Sequence, residues 1–211
     1  QQSGQAMDAM GVDRVAALEP HSPAAFDDAF RIPAERLHAR GPLVDALLPH
    51  LGQEPITVVS PDTGGAKRAA ALREVLGART GREAASAFFE NYRSGGVVSG
   101  DTVAGSLDRR AALIVDDLIA SGTTMGRAAR ACRERGATAV FAVATHAVFA
   151  EGAERLLQDP GVDRLFITDS VAPRMQELWG ERVERVSVAP LLGAVIRALH
   201  RGESVVDALG D

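Results

Sequence analysis

Short apolar runs alternate with amphipathic segments along most of the chain. Residues 56–59, 111–115 and 139–144 form apolar runs that are typical of buried strands. Residues 66–76 and 125–135 carry apolar side chains at helical spacing, and a glycine follows each segment, as at many helix ends. Strands that alternate with helices predict an α/β fold, in which a parallel twisted sheet is flanked by helices.

Three features stand out from this regular pattern. Residues 91–105 are rich in glycine and serine, which predicts a long mobile loop. The strand at 111–115 is predicted to end where Asp116 begins. The chain starts at Gln1 in a helical stretch that has no capping residue. From this start we expect the sequence to be part of a larger protein.

The charge balance and the cysteine content exclude several classes of protein. The 211 residues include 23 Lys and Arg against 28 Asp and Glu, a net charge of −5, which argues against a duplex-DNA binder. A local basic site for a small phosphorylated ligand stays open. The single cysteine, Cys132, excludes an internal disulfide and a multi-cysteine zinc site, and we interpret it as a packed helix residue. Apolar runs are far shorter than the roughly 18–20 residues of a membrane span, so we expect a cytoplasmic protein without membrane or nucleic-acid partners.

The strongest candidate site is a strand–loop–helix at residues 113–127. Asp116 and Asp117 follow the strand, and small and hydroxyl residues at 120–124 then open a helix. A helix N-terminus has free N–H groups and a partial positive charge, so it suits a phosphate. Two carboxylates suit sugar hydroxyls, or a hydrated Mg²⁺ that the ligand carries. A phosphate at one end and a diol at the other describe a ribose 5-phosphate.

Several segments resemble one known family. Residues 115–124 resemble the phosphoribosyl-diphosphate (PRPP) binding motif of the type I phosphoribosyltransferase fold. Residues 58–65, followed by Lys67-Arg68-Ala69, resemble the pyrophosphate-binding segment of the ribose-phosphate diphosphokinase (PRPP synthase) family. Further segments occur in that family's order at 11–15, His21, 30–33, 144–146, 168–170, 187–192 and 196–205. The resemblance covers nearly all of the chain and implies that an N-terminal part of the usual enzyme is missing.

The resemblance implies a Mg²⁺-dependent transfer of the β,γ-diphosphoryl group of ATP to the 1-hydroxyl of ribose 5-phosphate. The products of that reaction are PRPP and AMP, and the family's enzymes are homo-oligomers. The resemblance further implies that residues 1–42 are the remnant of an N-terminal phosphoribosyltransferase-like domain and that residues 43–211 form a C-terminal one.

The family's functional positions can be carried over to residues of this chain. The resemblance places a metal-binding and catalytic histidine at His21 and a second metal-site residue at Asp62. It places the diphosphate-binding segment at Thr63, Gly64 and Gly65. The ribose 5-phosphate site falls on Asp116, Asp117, Ala120, Ser121, Gly122, Thr123 and Thr124.

One functional position departs from the family's pattern. Arg93 matches a catalytic arginine, but Asn91 stands where the family has a catalytic lysine. Loss of a cation beside transferring phosphates impairs catalysis. Two alternatives therefore stay open: a base phosphoribosyltransferase that uses PRPP, and a non-catalytic regulator associated with PRPP synthase. Asn91 favours the regulator, whereas Ala120 and the lack of an aromatic-rich hood disfavour the base phosphoribosyltransferase.

Overall fold

In the computed structural model, which describes residues 2–94, 97–172 and 174–209, the chain divides into two units. At residues 2–3, 90–94, 97–103 and 207–208 only the backbone is described. Unit 1 comprises Gln1–Ala39 and Val188–Asp211, and unit 2 comprises Arg40–Ser187. The domain division expected from the resemblance, 1–42 and 43–211, stays a prediction, because it concerns the whole protein. Across the described residues, no helix combines the length and apolar character that crossing a bilayer requires.

The helices and strands alternate along most of the chain. The strands are β1 (Val15–Leu18), β2 (Ala34–Leu37), β3 (Ile56–Ser60), β4 (Ala85–Ser94), β5 (Val97–Ala104), β6 (Ala111–Ile119), β7 (Ala139–Ala147), β8 (Arg164–Thr168) and β9 (Val183–Val186). The α-helices are α1 (Gln2–Ala9), α2 (Pro23–Asp27), α3 (Arg40–Leu47), α4 (Ala66–Thr80), α5 (Thr123–Glu134), α6 (Glu154–Leu157), α7 (Ala189–Arg201) and α8 (Val205–Leu209). Two short 3-10 helices span Leu48–His50 and Gln176–Leu178.

Unit 1 is built on a two-stranded parallel sheet. Strands β1 and β2 pair in parallel, with Val15 opposite Ala34. Leu37 of β2 forms a buried apolar cluster with Val195 of α7 and Val205 of α8. The two ends of the described chain are thus joined through one small core.

Unit 2 is a seven-stranded sheet with helices between its strands. The strand order is β5-β4-β3-β6-β7-β8-β9. Every neighbouring pair is parallel except β4 and β5, which are antiparallel. Strand β3 is buried along its whole length, as expected for a central strand of a parallel sheet with both faces covered. The predicted α/β fold with a parallel sheet flanked by helices is therefore confirmed.

Strands β3 and β6 mark the place where the chain changes direction across the sheet. From β3 the chain passes through α4 to β4 and β5 on one side. It then returns to β6 on the other side of β3 and continues through α5 to β7, β8 and β9. In open α/β sheets, ligands bind beyond the carboxyl ends of the strands at such a switch point. The strand order therefore favours a ligand site at the loops after β3 and β6.

The prediction of a mobile loop at residues 91–105 is wrong. Most of this segment belongs to the hairpin formed by β4 and β5, in which Phe88 pairs with Ala104 and Arg93 pairs with Val98. Strand β4 also pairs in parallel with β3, so the hairpin extends the main sheet. Backbone ladder hydrogen bonds do not depend on side-chain character, and they form here despite the glycine and serine content.

The predicted end of the strand at 111–115 is also wrong. Strand β6 continues through Asp116 and Asp117 to Ile119 and keeps its parallel pairing with β7 as far as Ala147. The two acids can lie within a buried strand because an arginine neutralises them, as described in the next section.

Candidate functional site

A cavity of about 120 Å³ lies where β6 gives way to α5. Its lining residues are Asp116, Leu118, Ile119, Ala120, Ser121, Gly122, Thr123, Thr124 and Met125. The structure thus brings every residue of the predicted ribose 5-phosphate site except Asp117 into one cavity wall. Asp117 is adjacent but buried, with 3% of its surface exposed. The cavity joins a carboxylate at one end to a helix N-terminus at the other.

Gly122 gives the loop its shape. It has a φ of +71°, in the left-handed region that glycine adopts without a steric cost. A Cβ at this position would lie 2.7 Å from two side-chain carbons of Leu156, so only glycine fits against α6. Helix α5 begins at the next residue, Thr123, whose hydroxyl lies 3.0 Å from the Ser121 hydroxyl. Backbone N–H groups and two hydroxyls are therefore present together, as an anion site requires.

The loop after β3 is fixed by its own hydrogen bonds. The Gly65 N–H donates to Asp62 Oδ1 over 2.9 Å, and the Ser60 hydroxyl donates to the Asp62 carbonyl oxygen over 2.6 Å. A Cβ on Gly65 would lie 2.6 Å from Ser60 Oγ, so this close packing requires glycine. Thr63 and Gly64 are exposed at the tip of the loop. The Gly65 amide is already engaged, which leaves Thr63 and Gly64 as the exposed part of the predicted diphosphate segment.

Arg68 connects the two loops. It lies in the first turn of α4, and its Nη1 donates to Asp116 Oδ1 over 3.0 Å. Its Nη2 lies 3.1 Å from Asp117 Oδ2, so one guanidinium bridges both carboxylates. A Cβ on Gly65 would lie 3.3 Å from Arg68 Nη1, which shows how near the guanidinium is to the loop after β3.

The role of Arg68 could not be recognised from the sequence. Arg68 appeared only as part of a segment that resembles the family, and nothing in its local sequence shows that it pairs with acids 48 residues away. A cation in the first turn of a helix that follows a glycine-rich loop is common on solvated helix faces. The position of α4 beside β6 at the switch point is the information that the sequence pattern lacked.

The acid pair holds a proton near neutral pH. Burial, and then a side-chain hydrogen bond with Asp117, raise the pKa of Asp116 from 3.8 to about 7. The Asp117 backbone N–H, which donates to Asp116 Oδ1 over 2.9 Å, and the positive charge of Arg68 both act to lower this pKa. The negative charge of Asp117 adds to the upward shift. Two close carboxylates of this kind titrate as a pair.

The remaining predicted residues lie outside this cavity. His21 is in the exposed turn between β1 and α2 in unit 1, whereas Asp62 is in unit 2. Their joint role in metal binding is therefore still a prediction. The side chains of Asn91 and Arg93 lie outside the described residues, although the backbone at both positions belongs to β4. Cys132 is buried in α5, as expected from the sequence.

Known proteins resemble the chain over nearly its whole length. A ribose-phosphate pyrophosphokinase of Parasynechococcus marenigrum is 38% identical over 197 residues, which cover 92% of this chain and 57% of that protein. A ribose-phosphate pyrophosphokinase of Bordetella pertussis is 33% identical over 202 residues, which cover 95% of this chain and 63% of that protein. The chain thus spans roughly three fifths of the length of these relatives.

Comparison of structures gives the same result. The crystal structure of phosphoribosylpyrophosphate synthetase from Mycobacterium smegmatis superposes with a TM-score of 0.82 at 26% sequence identity. The match covers 95% of this chain and 63% of that one. Residues 98–209 match the family described as the phosphoribosyl synthetase-associated domain. This match includes more than half of the chain and the whole acid-lined cavity, and the chain therefore belongs to the phosphoribosyl synthetase-associated domain family.

Proposed function

We propose that this chain carries the ribose 5-phosphate and diphosphate sites of a ribose-phosphate diphosphokinase. The observation that carries the proposal is the meeting of two loops at the β3–β6 switch point. One loop presents amides, hydroxyls and the Asp116 carboxylate to the cavity, with the buried Asp117 carboxylate adjacent. The other is a tight glycine turn that begins at Asp62. The pyrophosphokinase names of its relatives support the same reaction for this chain.

The cavity suits ribose 5-phosphate in chemistry. The start of α5, with Ser121 and Thr123 beside it, presents N–H and O–H donors to the 5-phosphate. Ionised carboxylates accept hydrogen bonds from hydroxyls more strongly than neutral oxygens do, so Asp116 and Asp117 would hold the 2- and 3-hydroxyls. A sugar bound at both ends leaves its 1-hydroxyl available for reaction.

The reaction then requires a second phosphate site. A bond forms between O1 of the sugar and the β-phosphorus of ATP, the bond from that phosphorus to the α,β-bridging oxygen breaks, and O1 loses its proton. AMP leaves with the bridging oxygen. Thr63 and Gly64 would bind the diphosphate through their exposed amides. Positioning and charge neutralisation supply most of the catalysis in phosphoryl transfer, so Arg93 on the β4–β5 hairpin is a candidate catalytic cation.

The loop after β3 fits a magnesium ion that phosphates carry. Asp62 Oδ1 is held by the Gly65 N–H, and among the described residues Asp62 Oδ2 has no hydrogen-bond or ion-pair partner. Mg²⁺ at phosphate-transfer sites binds one or two carboxylates together with substrate oxygens. Bound there, Mg²⁺ would neutralise charge on the transferring phosphates. Homo-oligomeric assembly, a cytoplasmic location and the part of His21 stay predictions.

Titration calorimetry with ribose 5-phosphate tests the binding site. In the double variant Asp116→Asn, Asp117→Asn, we expect affinity to fall about 100-fold or more, because each hydrogen bond to a charged group contributes roughly 1.5–3 kcal/mol. The matched control is Asp108→Asn, which removes an exposed acid from the same unit and should leave affinity unchanged. Circular dichroism checks that each variant folds.

Two ligand controls separate the ends of the cavity. Ribose without phosphate tests the α5 end, and 2-deoxyribose 5-phosphate tests the acid end. The parent chain should bind 2-deoxyribose 5-phosphate about tenfold less tightly than it binds ribose 5-phosphate. The double variant should bind the two sugars with equal affinity. Equal affinity of the parent chain for both sugars would remove the diol from the proposal.

Product analysis separates the reaction from its two alternatives. With ATP, ribose 5-phosphate and Mg²⁺, release of AMP supports the diphosphokinase. Consumption of PRPP together with a free base, without AMP release from ATP, supports a base phosphoribosyltransferase. Tight ribose 5-phosphate binding with neither reaction supports a regulator, as Asn91 favours.

A further inference from the structure

Arg68 supports the acid pair from outside the cavity. Its side chain is 22% exposed, and those of Asp116 and Asp117 are 19% and 5% exposed. Among the described residues that line the cavity, Asp116 is present and Arg68 is not. The guanidinium therefore contacts the carboxylates without forming part of the surface that a bound sugar would meet.

The contacts of Arg68 fix the orientation of Asp116. Asp116 Oδ1 accepts hydrogen bonds from Arg68 Nη1, over 3.0 Å, and from the Asp117 N–H, over 2.9 Å. These two donors hold one oxygen of the carboxylate, and neither engages Oδ2. A planar guanidinium has two parallel N–H directions, so it can hold two neighbouring carboxylates in one geometry, which a lysine ammonium cannot do.

The charged groups around the acid pair are few. Arg68 on α4 and Asp117 on β6 are the charged groups that shift the titration of Asp116. On the neighbouring strand β7, Ala144 lies opposite Asp116, and the titratable His146 lies opposite Leu118. Among the described residues, Arg68 is thus the cation that opposes both burial and the repulsion between the two carboxylates.

We propose that Arg68 is a positioning residue that keeps Asp116 ionised and holds Asp116 and Asp117 in the orientation that the hydroxyls of a pentose 5-phosphate require. The choice of ligand in this inference rests on the proposed function. The effect of Arg68 on the two acids does not. A protonated carboxyl is a weaker acceptor for a sugar hydroxyl than a carboxylate is. Sugar affinity therefore follows the ionised fraction of the pair, and Arg68 sets the pH range in which that fraction is high.

Calorimetry of ribose 5-phosphate binding between pH 7 and 9.5 tests this role, since the sugar phosphate is a dianion throughout that range. The variant Arg68→Met keeps the apolar stem and removes the charge. Removing a nearby opposite charge raises the pKa of a carboxyl by roughly one to two units. At pH 7 we expect about fivefold weaker binding or more, and at pH 9.5 we expect affinity within about twofold of the parent chain.

The controls match charge and geometry. Lys67→Met removes a cation from the adjacent, exposed position of the same helix turn and should leave the pH profile as in the parent chain. Arg68→Lys keeps one charge but cannot bridge both acids, so its profile should lie between those of the parent chain and Arg68→Met. If Arg68→Met does not fold, the shift of the pH profile of affinity in Arg68→Lys tests the role of Arg68.

Carboxyl carbon NMR of the ligand-free chain provides a second readout that does not depend on the sugar. The Asp116 resonance is assigned by its loss in Asp116→Asn. Its titration midpoint should rise by roughly one to two pH units in Arg68→Met and stay in place in Lys67→Met.

The outcomes separate this inference from the proposed function. An affinity loss of equal size at every pH, or an unmoved NMR midpoint, would overturn the role of Arg68. A raised midpoint in a chain that binds no ribose 5-phosphate would overturn the proposed function and still support control of the acids by Arg68. A raised midpoint with recovery of affinity at high pH supports both.

Discussion

The raised pKa of Asp116 predicts that Asp116→Asn, which removes a proposed sugar-binding carboxylate, becomes more stable relative to the parent chain as pH rises. The pKa is about 7 in the folded chain, against 3.8 for an ordinary aspartate, with burial as the largest cause. Because the pKa is higher in the folded state, unfolding releases a proton between these two values. The contribution of Asp116 to stability is therefore lost as pH rises from about 4 to about 7.

The size of this effect follows from proton linkage. One unit of pKa corresponds to 1.36 kcal/mol, so the raised pKa of Asp116 lowers the free energy of unfolding, relative to its value at low pH, by about 2 kcal/mol at pH 5 and by about 4 kcal/mol at pH 8. Asp116→Asn removes this proton and leaves an amide oxygen that can accept from the Asp117 N–H. Loss of the ion pair with Arg68 also changes the free energy of unfolding, but this contribution does not depend on the proton of Asp116.

Urea unfolding at pH 5 and pH 8 measures the difference. The free energy of unfolding of Asp116→Asn relative to the parent chain should increase by roughly 2–3 kcal/mol between pH 5 and pH 8. Asp108→Asn, an exposed acid in the same unit, should show no such increase. A constant difference between Asp116→Asn and the parent chain at both pH values would show that Asp116 is ionised at no cost, and the reasoning would fail.

Two further predictions concern single residues of the cavity wall and of α5. Gly122→Ala should weaken ribose 5-phosphate binding about tenfold or more by calorimetry and lower stability by roughly 1–3 kcal/mol, because the φ of +71° and the 2.7 Å approach to Leu156 exclude a Cβ. Cys132 should not react with an aromatic disulfide reagent at pH 8 until urea unfolds the chain, because burial raises the pKa of its thiol to about 12.

The overall architecture could be predicted from the sequence because it depends on local apolar pattern. The central strands are short apolar runs, and Gly136 follows the end of α5 as predicted. The predicted end at Gly77 is wrong, because α4 continues through Gly77 to Thr80 and ends before Gly81, which has a φ of +66°. The β4–β5 hairpin could not be predicted in this way. Its second strand lies at the edge of the sheet, where backbone pairing with one neighbour suffices, and its glycines masked the strand pattern.

The candidate ribose 5-phosphate loop could be predicted because its residues are consecutive. Small residues, hydroxyls and acids within ten positions predict a phosphate and diol site without any knowledge of the fold. The relation between this loop and the turn at Asp62 could not be read from the chain. It depends on the insertion of β6 beside β3, after the chain has first formed β4 and β5 on the other side.

Arg68 shows what this topology adds to the chemistry. The acid loop alone would place two carboxylates side by side in a buried strand, where repulsion and desolvation favour a retained proton. The cation that opposes proton retention is Arg68 of α4, the helix that follows the loop after β3. Its single guanidinium contacts both acids. In the proposed site the two loops therefore act together, because the two acids of the sugar side pair with a charge from the α4 side. The crossover between β3 and β6 is thus part of the electrostatics of the site as well as part of the fold.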